Sequence, residues 1–331
     1  MFSRGREYTE SLPWVEKYRP SSLEEIEGQG WIVASLQSFA KKRKIPHMIF
    51  SGPAGTGKTS CAVAFVKDIL GQNFSSELIL ELNASDNVRM NTVRNEIKSF
   101  SITQNISLPP DTLKFVILDE ADNIPKDPQH ALRRIIERSP PNVRFLLMCN
   151  YENRLIDPLL SRCALFRFSP LPKEIVLNKL RDIAIKEDLN LPQNTFEVLY
   201  LISMGDLRKA INFLQIFSQL DTNDTSGLYE IAGYLNPKNF SEFADEVLKS
   251  NFQKSVNVLQ RDFHFSGRNF LYQLLDWILT SQSIPIENIS NILEGIGVID
   301  FRLTLGSDMA LQLESLVALL CENVREKNLN E

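Results

Sequence analysis

Along the first half of the chain, short apolar runs alternate with amphipathic stretches, and the runs stop after Pro170-Leu171-Pro172. Five runs read as strands: Met48 to Ser51, Leu78 to Leu82, Phe115 to Asp119, Arg144 to Cys149 and Ala164 to Phe168. Between them apolar residues recur at near-helical spacing. Met90, Val93, Ile97 and Phe100 form one such face, and Ala131, Leu132, Ile135 and Ile136 form another, with Pro128 in its first turn. Alternating strands and helices predict an α/β fold whose parallel sheet is covered on both faces. From Lys173 onward the pattern is helical, broken at Asn190-Leu191-Pro192, Asp221 to Gly227, Asn236-Pro237, Ser266-Gly267 and Ser283 to Pro285. Three domains are expected: an α/β core over 1–170, a small helical domain over 171–230 and a larger all-α domain over 231–331.

At 331 residues and 43% hydrophobic content, the chain can bury a sizeable core in two or three domains. Its apolar runs, such as Leu316 to Cys321, fall far short of the roughly 20 residues that span a bilayer. The stretch Met1 to Ser11 lacks a signal-like apolar core, so neither export nor a membrane partner is expected. Cys61, Cys149, Cys163 and Cys321 show no paired spacing, and the histidines do not cluster beside them, which predicts reduced thiols rather than a zinc site or disulfides. The net charge of −5 sits in residues 232–331, where eight Lys/Arg meet 13 Asp/Glu; the remainder carries 28 of each. A nucleic-acid surface therefore belongs in the first two-thirds. Counterion release scales with the phosphates neutralised, so one copy is not expected to bind DNA tightly alone.

Chemistry enters at Gly52-Pro53-Ala54-Gly55-Thr56-Gly57-Lys58-Thr59-Ser60, which has the spacing of a phosphate-binding loop. Its glycines let backbone N–H groups close around phosphates, Lys58 reaches the β and γ oxygens, and Thr59 ligates magnesium. The flanks suit this reading. A β-forming run, His47 to Phe50, precedes the loop, and a predicted helix over Thr59 to Lys67 follows, turning its N-terminus to the anion. Farther on, the strand from Phe115 runs into Asp119-Glu120. Asp119 is a candidate Mg²⁺ ligand, and Glu120 a candidate for polarising the water that attacks the γ-phosphate. Taken alone, this segment leaves an exposed acidic strand end as the lesser alternative. Paired with the loop, it favours hydrolysis over phosphoryl transfer to a metabolite.

Together these segments resemble the clamp-loader family of AAA+ ATPases, specifically replication factor C small subunits of the archaeal type. The likeness spans nearly the whole chain: Pro13-Trp-Val-Glu-Lys-Tyr-Arg-Pro20, the phosphate loop, Leu82-Asn-Ala-Ser-Asp86, Leu118-Asp-Glu-Ala-Asp122, Ala131-Leu-Arg-Arg134, Cys149-Asn150, Ser161-Arg-Cys163, Gly205-Asp-Leu-Arg208 and Asp300-Phe-Arg-Leu-Thr304. The resemblance implies an AAA+ core, a helical lid and a collar that holds an oligomer together. It places Val15 and Arg19 beside the adenine of ATP, with backbone near Gln29. It makes Asn150 a sensor of the γ-phosphate, Arg208 a lid cation, and Arg162 an arginine finger completing a neighbour's site. Implied partners are the replication factor C large subunit and other small subunits in a ring expected to be a pentamer, a sliding clamp and primer-template DNA. The compartment is then the cytoplasm of an archaeon or the nucleus of a eukaryote. For each of these residues a plain structural role stays open: packing for residues 13–20, a turn for Asn150, a solvated face for Arg208, and a surface pair with Asp157 for Arg162.

The chain also departs from the family. Ala54 replaces a second proline, tolerable because the loop works through its backbone. Asn87-Val88-Arg89-Met90 stands where Glu-Arg-Gly-Ile is usual, so the basic residue linking DNA to the catalytic carboxylate falls on Val88, and Pro125 and Pro128 precede the helix that usually meets the clamp. Arg89, Arg94 and Lys98 are candidates for a DNA-facing helix, with a solvated face as the alternative. Two rival functions remain: a DNA-translocating AAA+ motor, and a non-enzymatic scaffold subunit, which the full set of site residues disfavours.

Overall fold

The computed structural model describes residues 12–71, 74–84, 90–102, 112–220, 224–261, 264–281 and 284–325. Its first unit, Met1–Asn190 with Ser203–Ile216, is built on strands β1 (Met48–Ser51), β2 (Ile79–Asn83), β3 (Lys114–Asp119), β4 (Val143–Cys149) and β5 (Ala164–Arg167). Every pairing is parallel and the order across the sheet is β2-β3-β4-β1-β5. The helices are α1 (Trp14–Lys17), α2 (Gly30–Lys42), α3 (Lys58–Leu70), α4 (Met90–Ile102), α5 (Lys126–Arg138), α6 (Asp157–Leu160), α7 (Lys173–Lys186) and, after a break, α9 (Leu207–Phe217).

The central strands are apolar at nearly every position because both faces are covered, and the two-residue period of a strand sorts them. Phe50, Phe115, Ile117, Leu146 and Met148 pack with Ile32 and Leu36 of α2 and Phe65 and Val66 of α3. The intervening residues Ile49, Val116, Leu118, Phe145 and Leu147 pack with Ile97 of α4 and Leu132 and Ile136 of α5. A slip of one residue in any central strand would exchange these two cores. The arrangement brings the C-terminal ends of β1, β3 and β4 together, the end at which α/β sheets bind ligands.

The second unit, Leu191–Ile202 with Phe217–Glu331, contains α8 (Gln193–Ser203), α10 (Ser226–Ile231), α11 (Pro237–Leu248), α12 (Phe252–Arg261), α13 (Gly267–Thr280), α14 (Ile286–Thr304) and α15 (Met309–Arg325). Asn236 caps α11 by accepting the Lys238 N–H at 3.0 Å, and Pro237 takes the first helical position, where no donor is lost. Its core centres on Phe243 and Phe270, edge to face at 5.3 Å. Leu316 and Leu320 lie in that core and Leu319 packs on it, whereas Leu311 is 63% exposed. Among the described residues no helix is long and apolar enough to cross a membrane.

Candidate functional site

The loop between β1 and α3 depends on glycine for more than flexibility. Gly52 has φ 149°, and a Cβ there would meet the Phe168 carbonyl oxygen at 2.3 Å. At Gly55 (φ 71°) a Cβ would lie 1.9 Å from Asp206 Oδ1. That carboxylate caps α9 by accepting the Arg208 and Lys209 N–H groups at 2.9 and 3.1 Å, so the loop is packed directly against a helix cap. Gln29 contributes through its buried side chain, whose Nε2 donates to Ser169 O at 2.8 Å and to Thr56 O at 3.4 Å, fastening the loop to the segment after β5.

Lys58, only 8% exposed, donates from Nζ to Gly52 O (2.7 Å), Pro53 O (2.8 Å) and Asn150 Oδ1 (2.9 Å). Burial pulls its pKa below the usual lysine value, with Asp119 opposing the shift. A cation clasped mainly by neutral oxygens in a buried place is stabilised by an anion brought beside it, which fits a polyphosphate. Thr59 Oγ1 donates to Asp119 Oδ2 at 2.9 Å, and Asp119 Oδ1 accepts the Glu120 N–H at 2.8 Å. A hydroxyl and a carboxylate oxygen so placed are the hard donors that Mg²⁺ takes, together with phosphate oxygens and waters. Glu120 has a left-handed backbone (φ 53°), and its Oε2 accepts from Asn123 Nδ2 at 3.1 Å.

Val15, Arg19, Ala54 through Ser60, Asp119, Glu120, Asn150 and Arg208 line one cavity of about 240 Å³. Its lining also includes the apolar side chains of Ile26, Leu171, Ile175 and Ile211. Arg162 does not line this cavity. Its guanidinium pairs with Glu137 of α5 at 2.5 Å, not with Asp157, and Glu137 also holds Arg133 at 2.7 Å. Lys98 is exposed on α4, next to the buried Ile97; Arg89 and the side chain of Arg94 fall outside the described residues. The four cysteines are free, and burial pushes Cys61 and Cys163 up to about 12 and Cys149 to about 11, so these three stay protonated.

Two residues have no assigned role in the sequence reading. Asp122 is buried, and its Oδ2 accepts the N–H groups of Asn150 (3.2 Å) and Tyr151 (3.1 Å), tying the end of β4 to the turn after β3. Gln129 is fully buried; its Nε2 donates to Ile124 O (2.8 Å) and Arg154 O (3.0 Å), and its Oε1 accepts from Ile156 N–H (2.8 Å). One signal was readable, since Gln129 falls on the same helical face as Leu132 and Ile136.

A family model described as "DNA polymerase III, delta subunit" matches residues 28–172, and one described as "Replication factor C C-terminal domain" matches residues 235–319. Over 313 residues the chain is 39% identical to the replication factor C small subunit of Archaeoglobus fulgidus, covering 93% of this chain and 96% of that protein. With the protein of the same name from Saccharolobus solfataricus the identity is 40%, covering 93% and 94%. Among solved structures, the RuvB Holliday junction branch migration motor of Thermotoga maritima superposes with a TM-score of 0.51 at 17% identity, covering 75% of this chain and 86% of that one. This last likeness is one of fold.

Proposed function

The chain belongs to the replication factor C small-subunit family of AAA+ ATPases, and from that premise we propose that it serves as an ATPase subunit of a clamp loader in DNA replication. ATP bound in the Lys58 cavity and then hydrolysed would drive the loading of a ring-shaped sliding clamp onto primer-template DNA. The observation that carries this reading is the convergence of Lys58, Thr59, Asp119, Glu120 and Asn150 on one cavity in a chain alike to these relatives over 93% of its length.

Within the cavity, Lys58 neutralises the β and γ oxygens, and the wall formed with Val15 and Arg19 receives the base. Thr59 and Asp119 would hold Mg²⁺, which offsets the charge developing on the transferred phosphoryl group. Glu120 orients and deprotonates the attacking water. Asn150, on the Lys58 ammonium, registers whether a γ-phosphate is there, and Arg208 adds positive charge from the α9 side. Arg162 serves the site of a neighbouring subunit, in a ring with other small subunits and a large subunit, taken to be a pentamer. The working division of the chain is 1–170 for the ATPase core, 171–230 for the lid and 231–331 for the collar. The protein acts inside the cell, in archaeal cytoplasm or a eukaryotic nucleus.

The test is steady-state ATPase of the assembled ring with primer-template DNA, with and without clamp. A loader shows a clamp-dependent rise that Lys58→Ala abolishes. A DNA-stimulated rate indifferent to clamp would assign the chain to a motor, and a rate unaffected by Lys58→Ala would leave it a scaffold.

A further inference from the structure

The segment Pro13 to Arg19 forms part of the cavity wall, with Val15, Glu16, Tyr18 and Arg19 in its lining. Among the described residues, its hydrogen bonds to the rest of the fold go to two places. Trp14 N–H donates to Gln215 Oε1 of α9 at 3.0 Å, while Lys17 Nζ and Tyr18 Oη both donate to Glu187 Oε1, at 2.7 and 2.5 Å. Its other side-chain bond, Arg19 to Glu16 at 3.0 Å, stays inside the segment.

Glu187 stands just beyond the last turn of α7, where Asp188 turns left-handed (φ 53°) and ends the helix. A carboxylate at a helix C-terminus faces the negative end of the dipole, a placement that costs stability unless cations or donors offset it. Here one oxygen takes an ammonium and a phenol, and Lys186 Nζ lies 5.7 Å from the Tyr18 ring. A residue that breaks a local rule while making contacts 169 and 170 residues away in sequence is where function is to be sought.

We propose that Glu187 is a positioning residue for the bound nucleotide: it latches the 13–19 segment over the base end of the cavity and thereby sets how fast nucleotide leaves. The inference rests on the ATP-binding reading of the same cavity. Glu187 itself does not line the cavity; it acts through Tyr18, which does. The Tyr18 hydroxyl, Lys17 ammonium and Glu187 carboxylate are each shifted toward the form that keeps the bonds, with Tyr18 and Lys17 raised and Glu187 lowered.

The experiment uses the full chain with a fluorescent N-methylanthraniloyl ADP and stopped-flow displacement. Glu187→Ala should raise the off-rate about 10-fold, the scale of losing charge-assisted hydrogen bonds that are partly exposed. Glu187→Gln, which keeps an acceptor for Tyr18, should fall between. Inorganic triphosphate has no base to be covered, so its affinity, measured by competition, should not change; a merely destabilised fold would weaken both ligands. Tyr18→Phe combined with Glu187→Ala should give no more than Glu187→Ala alone. If wild-type protein binds no nucleotide, the functional reading fails. If it binds and both Glu187 variants release ADP at the wild-type rate, or if triphosphate affinity falls equally, the latch is overturned.

Discussion

Glu120 takes a left-handed backbone conformation that a residue with a side chain adopts at a cost on the order of 1 kcal/mol, and the turn from Ala121 to Asn123 follows at once. The Glu120 carboxylate accepts from Asn123, whereas the Thr59 hydroxyl donates to Asp119, and both acids line the cavity. Glu120→Gln should keep nucleotide affinity, because Lys58, Thr59 and Asp119 are untouched. It should slow single-turnover hydrolysis by roughly 10²–10⁴. An unchanged rate under saturating DNA and clamp would remove Glu120 from the chemistry. His47 offers a different test at the opposite end of β1. Its Nδ1 accepts the Phe145 N–H at 3.2 Å, and burial, aided by Arg144, pushes its pKa down to about 4. The unfolded chain binds that proton near pH 6.5, so between 6.5 and 4 it holds more proton than the folded one, and stability declines as pH falls through this window. His47→Asn retains an acceptor without titrating. Its melting temperature should therefore lose the part of this decline that His47 causes, and melting curves over about pH 4–7 that keep the wild-type slope would refute the assignment.

At the scale of elements, Gln129 of α5 spans Ile124, Arg154 and Ile156, tying α5 to the turn before α6, and that turn leads through α6 to Arg162. Gln129→Leu keeps the volume but strands a part-buried backbone N–H and two carbonyls. It should cost about 2–4 kcal/mol in urea unfolding. A loss within about 0.5 kcal/mol would mean that water or relaxation replaces the amide. The same element shows where sequence reading reached and where it stopped. The sheet was legible because central strands are short, apolar and bounded by turns; each expected strand overlaps an observed one, with ends displaced by at most a residue or so. The phosphate loop and Asp119-Glu120 were legible because their chemistry is contiguous in sequence. The Asp206 cap against Gly55, the Gln29 bond to Ser169 and the Glu137 pair of Arg162 were not, since local spacing says nothing of which distant side chains meet. Helical periodicity has a related blind spot. It marks an apolar face without saying whether the face meets its own core or a partner: Leu316, Leu319 and Leu320 serve the core of their own unit, whereas Leu311 is exposed.

For the whole molecule, the question is what one chain leaves for other chains to complete. On α14, Val298, Phe301 and the adjoining Leu305 recur at helical spacing and are 42%, 64% and 69% exposed, and Leu311 follows at 63%. Phe301→Glu with Leu305→Glu should disrupt the oligomer without lowering the melting temperature, since neither side chain is buried; light scattering that still gives the full ring would exclude this face as the collar contact. Arg162 poses the same question for catalysis. It lies outside the cavity that holds its own chain's Lys58 and Glu120, it is half exposed, and its ion pair with Glu137 sits at the surface, where such pairs contribute little. A guanidinium so placed can leave Glu137 for a stronger anion on a neighbour. Arg162→Ala should then leave each chain's nucleotide affinity intact and depress hydrolysis in the ring by about 10³ or more. Mixing gives the sharper test. An Arg162→Ala chain retains its own Glu120, and a Glu120→Gln chain retains a working Arg162. Rings of either variant alone have no interface with both groups. Co-assembled rings have interfaces where Glu120 of the first meets Arg162 of the second, and those should recover activity. If subunit exchange is verified and no activity returns, Arg162 acts within its own chain or only as a structural cation.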